Sequence, residues 1–149
     1  MAGSPSATIA IQRASRAAHI PADATLRRWT LAALARKATL TLRYVGETEA
    51  RRLNREFRGK DYATNVLTFV YDDTPGLEGD IVICAAVVAR EAKAQGKAVQ
   101  AHHAHLLVHG VLHLQGLDHE RERDAKRMEA REAAILARLG FANPYEAGL

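Results

Sequence analysis

The segment HGVLHLQGLDH (109–119) carries three histidines, His109, His113 and His119, in the spacing H-x-x-x-H-x-x-G-x-x-H. Residues four apart share a helix face, with Cβ atoms roughly 5–6 Å apart, so His109 and His113 can aim at one ion. Gly116 supplies the left-handed residue that ends a helix without strain, so the chain can turn and bring His119 in from a second direction. Three nitrogens from two segments fill three corners of a tetrahedron and leave the fourth to water, as in a catalytic rather than a structural zinc site. A fourth ligand from Asp118 or His105 would close the site, and that alternative stays open. Zinc, one ion per chain, is preferred to nickel or copper on ligand type and availability, since affinity order alone would not choose it.

Zinc peptidases with this metzincin-like spacing place a glutamate directly after the first histidine, whereas here that position is Gly110. The site therefore lacks the carboxylate that would carry a proton from water to a departing amine, and an amine anion is a very poor leaving group. Phosphodiester cleavage depends more on neutralising charge and activating an oxygen nucleophile, and zinc brings the pKa of a bound water down to about 7.

A second constellation lies in RRLNREFRGKDYATNVLTF (51–69). Arg51, Arg55 and Arg58 fall on one helix face, and Lys60 follows just beyond it. The guanidinium fork matches phosphate oxygens and stays charged near neutrality. Arg51, Arg52 and Arg55 read first as a solvated basic helix face, with RNA binding as the other reading. Arg58 differs, because it stands before Gly59 and a loop, from which a side chain can reach a cleft and meet the charge that builds up on a phosphorane. His105 lies one turn before His109 and would line the cleft, orient a ligand or sit hydrogen-bonded in the core. Asp118 would fix a ligand's tautomer or cap a helix end. Asp80 and Asp118 are the acids a peptidase could recruit as a base. His102 and His103 read as structural or surface residues.

Elements able to position these groups follow from periodicity. ATIAIQ (7–12), TLTLRYVG (39–46), VLTFVYDD (66–73) and DIVIC (80–84) read as strands, with DTPGLEGD as loop and turn. Helices are expected from about Pro21 and Asp23 through ADATLRRWTLAALARKA, over 47–59, over 85–96, from Val99 to Gln115 and from Glu120 to Leu139. The last of these reads as an amphipathic packing helix with Met128, Ile135, Leu136 and Leu139 in its apolar stripe. The sum is one α+β domain over 1–149, a small mixed sheet packed with about five helices, with residues 1–6 expected to be disordered.

Composition agrees. With 149 residues, 48% apolar and 26% charged, the chain suits one globular domain. No stretch reaches the roughly 18 apolar residues of a membrane span, and no secretory leader is evident, so a cytoplasmic location is expected. Cys84 is the only cysteine and reads as a small buried hydrophobe. Through Lys60 there are 12 Lys and Arg against 4 acids, and beyond it 9 against 13, an asymmetry that suggests a basic face for a polyanion.

Taken in order, FRGKDYATNVLTF, GDIVIC and HGVLHLQGLDH resemble the YbeY family of bacterial metal-dependent endoribonucleases, from about Leu42 to Tyr145. The resemblance implies zinc on His109, His113 and His119, and a role for Arg58 in catalysis or RNA binding. It implies action on single-stranded ribosomal RNA precursors, in rRNA maturation and ribosome quality control. As partners it implies the small ribosomal subunit and an assembly GTPase. Ala63, Thr68 and Leu117 depart from residues more usual in the family, and none is a ligand. A zinc peptidase or amidase, a non-catalytic assembly factor with a structural zinc, and a plain nucleic-acid binder are the competing expectations.

Overall fold

Alternating apolar residues make ATLTLRYV a strand with one face for the core: Leu40, Leu42 and Tyr44 are all buried on that face. The computed structural model describes residues 6–117 and 121–146, so the sequence expectation of disorder falls outside them for residues 1–5, while the Ser6 carbonyl accepts a hydrogen bond from the Ala38 amide at 3.2 Å. In chain order the described residues form β1 (Ala7–Arg13), α1 (Asp23–Ala33), β2 (Ala38–Val45), α2 (Glu47–Arg58), β3 (Val66–Asp72), β4 (Leu77–Cys84), α3 (Ala85–Gln95), α4 (Val99–Leu114) and α5 (Glu122–Arg138).

The strands assemble in the order β1-β2-β4-β3, with β1, β2 and β4 parallel and β3 antiparallel to β4. The chain is thus a small α+β domain, with a mixed sheet and five helices among the described residues. β4 begins earlier than turn chemistry in DTPGLEGD suggested: Leu77 and Gly79 already pair with Ala38 and Leu40. Two packing facts decide this. Leu77 is buried in the core, and a Cβ on Gly79 would lie 2.6 Å from the Phe69 carbonyl oxygen, so glycine there permits a close strand approach.

Each face of the sheet carries its own apolar cluster. On one, Leu77, Ile81 and Ile83 pack with Leu26 and Trp29 of α1, Leu107 and Val111 of α4, and Met128 and Ile135 of α5. Each fully buried Leu or Ile there contributes about 2 kcal/mol. On the other, Val82, Leu67 and Val45 meet Ala50 and Leu53 of α2, and Cys84 is buried among them as an apolar residue. α4 is covered on nearly all sides, which its composition allows because its polar side chains are almost all histidines. No helix among the described residues is long and apolar enough to cross a membrane.

Candidate active site

α4 can lie tight on the sheet because Gly110 faces it. A Cβ at that position would meet Ile81 Cγ2 at 3.2 Å and the Cγ2 atoms of Thr68 and Val66 at 3.5 Å. The glycine that takes the place of the peptidase glutamate is therefore a contact residue, and a longer side chain would be driven into β3 and β4. With Gly110 against the sheet, His109 and His113 come to the cleft side of α4, their rings 6.4 Å apart and within 19° of parallel.

The opposite wall of the cleft is built from α2 and the segment after it. α2 ends at Gly59, in the left-handed conformation at φ 68°, with Gly59 N–H donating to Arg55 and Lys60 N–H to Asn54. Buried Asn54 donates through Nδ2 to the Tyr62 carbonyl at 2.9 Å, tying the loop to the helix. Arg51 grips Asp61 with both nitrogens, at 2.8 and 3.0 Å, and Arg55 lies 3.8 Å from the same carboxylate. That pairing pulls the Asp61 carboxyl below its ordinary range. Arg58 is left to face the cleft, a space of about 170 Å³ lined by Arg58, Thr64, Asn65, Val66, Thr68, His109 and His113. The fold thus brings Arg58 to His109 and His113 from about fifty residues away in sequence. Arg51 is committed to the loop, and Lys60 is exposed beyond it.

Both cleft histidines are engaged through Nδ1. His113 Nδ1 lies 2.9 Å from Thr68 Oγ1 on β3, and His109 Nδ1 lies 3.2 Å from Glu132 Oε1 on α5. Glu132 is fully buried, and it also receives His105 Nε2 at 3.1 Å and the Tyr145 hydroxyl at 2.9 Å. Burial would raise the Glu132 carboxyl, but hydrogen bonds from His105 and His109 outweigh it and bring it down to about 2, so it is ionised and can only accept. Burial and the adjoining carboxylate raise the Tyr145 hydroxyl, which stays a donor.

Glu132 and Thr68 were not singled out from sequence as site residues. For Glu132 a signal existed: it stands four residues after Met128 and three before Ile135, inside the apolar stripe of α5, where an acid needs a partner. Thr68 offered none, because its contact with His113 spans 45 residues.

Other expected residues fall elsewhere. β4 turns Asp80 away from the histidines, because its neighbours Gly79 and Ile81 face α4 and alternate residues point to opposite faces. Asp80 instead accepts the Tyr71 hydroxyl at 2.6 Å in a groove with Arg43 and Phe57, so it is not a partner of the cleft histidines. His102 is buried against Glu91 at 2.9 Å, and Glu91 in turn holds Asn65 of the cleft wall. Burial lowers the His102 pKa, and Glu91 opposes that only in part. His103 is a core residue between His19 and Tyr44, and burial lowers its pKa to about 4. His105 joins the Glu132 cluster and lines a separate groove of about 470 Å³ that includes Lys97, Phe141 and Asn143.

His119 and Asp118 lie outside the described residues. α4 ends at a left-handed glycine, Gly116 at φ 94°, with the Leu117 amide donating to Leu112 at 3.2 Å. Among the described residues no group of three or more His, Cys, Asp and Glu is arranged to hold a metal ion. The imidazoles of His109 and His113 fit a divalent cation by their chemistry, since Nδ1 of each ring is hydrogen-bonded to a neighbouring side chain, as with the outer partners that metal-binding histidines keep.

Comparison with known proteins shows the family. Residues 9–140 match the family described as Endoribonuclease YbeY. A protein so described from Aromatoleum aromaticum is 59% identical over 140 residues, covering 92% of this chain and 91% of the relative. Another from Thiobacillus denitrificans is 54% identical over 143 residues, covering 95% and 97%. A Thermotoga maritima protein solved in solution superposes with a TM-score of 0.57 at 21% identity, over 94% of this chain and 100% of that one, which shows a shared fold.

Proposed function

The chain belongs to the YbeY endoribonuclease family, and on that premise we propose that it hydrolyses phosphodiester bonds in single-stranded ribosomal RNA precursors with the help of one zinc ion. His109, His113 and His119 would hold the ion. With Nδ1 of His109 on Glu132 and of His113 on Thr68, coordination would use Nε2 of each ring. Bound there, zinc supplies Lewis acidity toward a phosphoryl oxygen and a lowered pKa for water. The observation that carries the reading is the meeting of Arg58 with His109 and His113 in one small cleft. A guanidinium on that wall clamps the scissile phosphate and stabilises the added negative charge of the transition state. The Asn54–Tyr62 and Arg51–Asp61 ties hold the loop behind Arg58, so the clamp is positioned before substrate arrives. Rims of Arg55 and Lys60 would add attraction for the RNA backbone.

Peptide hydrolysis is served less well. Gly110 has no room for the acid that peptidases keep there, and Asp80 is on the far face of the sheet. A site in a cytoplasmic rRNA-maturation and quality-control enzyme, with the small ribosomal subunit as its setting, accords with the family and with the basic amino-terminal half of the chain. Metal analysis of purified protein, beside cleavage of a structured ribosomal RNA with and without chelator, tests the proposal. Near-stoichiometric zinc and chelator-sensitive cutting are expected. Cutting that persists in metal-free protein would remove zinc from the reaction. If chelation instead unfolds the domain and no RNA is cut, the structural-zinc reading takes its place.

A further inference from the structure

Among the described residues Glu132 is the one carboxylate that the fold buries. An ionised acid in such a place is strongly unfavourable unless donors surround it. The contact of α5 with the core is already made by Met128, Ile135 and Leu136, and an apolar residue at 132 would continue that stripe with no charge to compensate. Yet three donors from two parts of the chain, α4 and the segment after α5, converge on this acid: His109 Nδ1 at 3.2 Å, His105 Nε2 at 3.1 Å and the Tyr145 hydroxyl, 2.9 Å from one carboxylate oxygen and 3.0 Å from the other. Tyr145 also lies edge-on to the His105 ring, with centroids 5.3 Å apart, so the segment after α5 closes over the cluster.

We propose that Glu132 is a positioning residue, which holds His109 in the Nδ1–H tautomer and fixes its ring plane, with Tyr145 and His105 holding the carboxylate in turn. The proposal rests on the reading of His109 as a metal ligand. A neutral imidazole has one donor and one acceptor nitrogen. A carboxylate on Nδ1 accepts only, so the proton sits on Nδ1 and the lone pair on Nε2, the atom that would meet the cation. Without the acid the Nδ1–H form loses this acceptor, and loss of such outer partners typically weakens metal binding 10–100-fold.

The test combines zinc titration of the apoprotein against a chromogenic chelator with nitrogen-15 NMR of its imidazoles, in wild type, Glu132→Leu, Glu132→Gln and Tyr145→Phe. Wild type should show His109 protonated at Nδ1. Glu132→Leu should keep a folded apoprotein but bind zinc about 10–100-fold more weakly. Glu132→Gln, which restores an acceptor oxygen, should recover part of that loss, and Tyr145→Phe should weaken binding by only a few-fold. A merely structural acid would alter unfolding without touching tautomer or affinity, so wild-type affinity in Glu132→Leu overturns the proposal. So does an Nε2–H tautomer of His109 in the wild-type apoprotein, a measurement that needs no variant to fold. Wild-type protein that binds no zinc at all would overturn the metal reading instead, and the tautomer would still decide whether Glu132 holds His109.

Discussion

The two walls of the cleft are built on opposite terms. The α4 wall is buried, and its histidines hydrogen-bond to groups on four other elements: Tyr44 on β2, Thr68 on β3, Glu91 on α3 and Glu132 on α5. The α2 wall is exposed, and its ion pairs, Arg51–Asp61 and Arg52–Glu56, join side chains that are all about half accessible. A buried polar atom without a partner costs about 1–3 kcal/mol, and each histidine on α4 has at least one hydrogen-bonding neighbour, although Nδ1 of His102 and of His105 has none among the described residues. Exposed charges are free to pair with water, and their bridges are weak. Precision therefore resides on the α4 side and electrostatic reach on the α2 side, with Arg58 as the one α2 residue lining the cleft.

Substitutions can break or sharpen that contrast. The largest effect is expected for His109→Ala, which should lose zinc on elemental analysis and reduce RNA cleavage more than about 100-fold, beyond the range of an outer-partner loss. Full zinc content in that variant would mean the histidine is not a ligand. Next comes Arg58→Ala, expected to keep zinc and unfolding midpoint but lose about 100-fold in cleavage, as for a removed oxyanion donor. Activity at the wild-type rate would take Arg58 out of the mechanism. Gly110→Glu, which restores the peptidase residue, should cost about 3 kcal/mol in denaturant unfolding by overpacking Ile81 and Thr68, and should yield no peptidase activity. An unchanged midpoint would show that α4 can lift off the sheet.

The buried wall should also respond to acid. His103 has a folded pKa of about 4 against an ordinary value of 6.5, so the unfolded chain binds the proton first as pH falls. Its contribution is nil above pH 6.5, and stability is lost from there down to about pH 4, by up to about 3 kcal/mol. His103→Gln should flatten that limb of the stability–pH curve relative to wild type, and an unchanged slope would assign the acid sensitivity to other groups. The smallest effect belongs to the exposed wall. Arg55→Ala should leave zinc content and folding alone and lower the salt slope of RNA binding by about one.

Much of this was legible in the chain. Each of the nine elements among the described residues has a local signal in the chain, whether apolar spacing, weak only in ATIAIQ, or acids and glycine stops at helix ends. The glycine stops at Gly59 and Gly116 are equally local, since a positive φ is met within a single residue. Strand β4 was read too short because Leu77 and Gly79 take their pairing from β2 and β3, which turn chemistry in DTPGLEGD does not register. Asp80 was expected near the histidines because its type suits a base, yet the pleat sends it to the other face.

By itself the sequence determined the identities and spacing of His109 and His113, the helix end that follows them and the arginine-rich helix, for each of these is encoded within a few residues. It also marked Arg58, by its place before Gly59, as the arginine able to reach a cleft, but only tertiary structure decided that the cleft is the one lined by His109 and His113, that Gly110 is pressed against Ile81, and that Glu132 and Thr68 hold the two histidines. The reason is physical: a buried donor finds its acceptor through packing of distant elements, and no local pattern records which pair will meet.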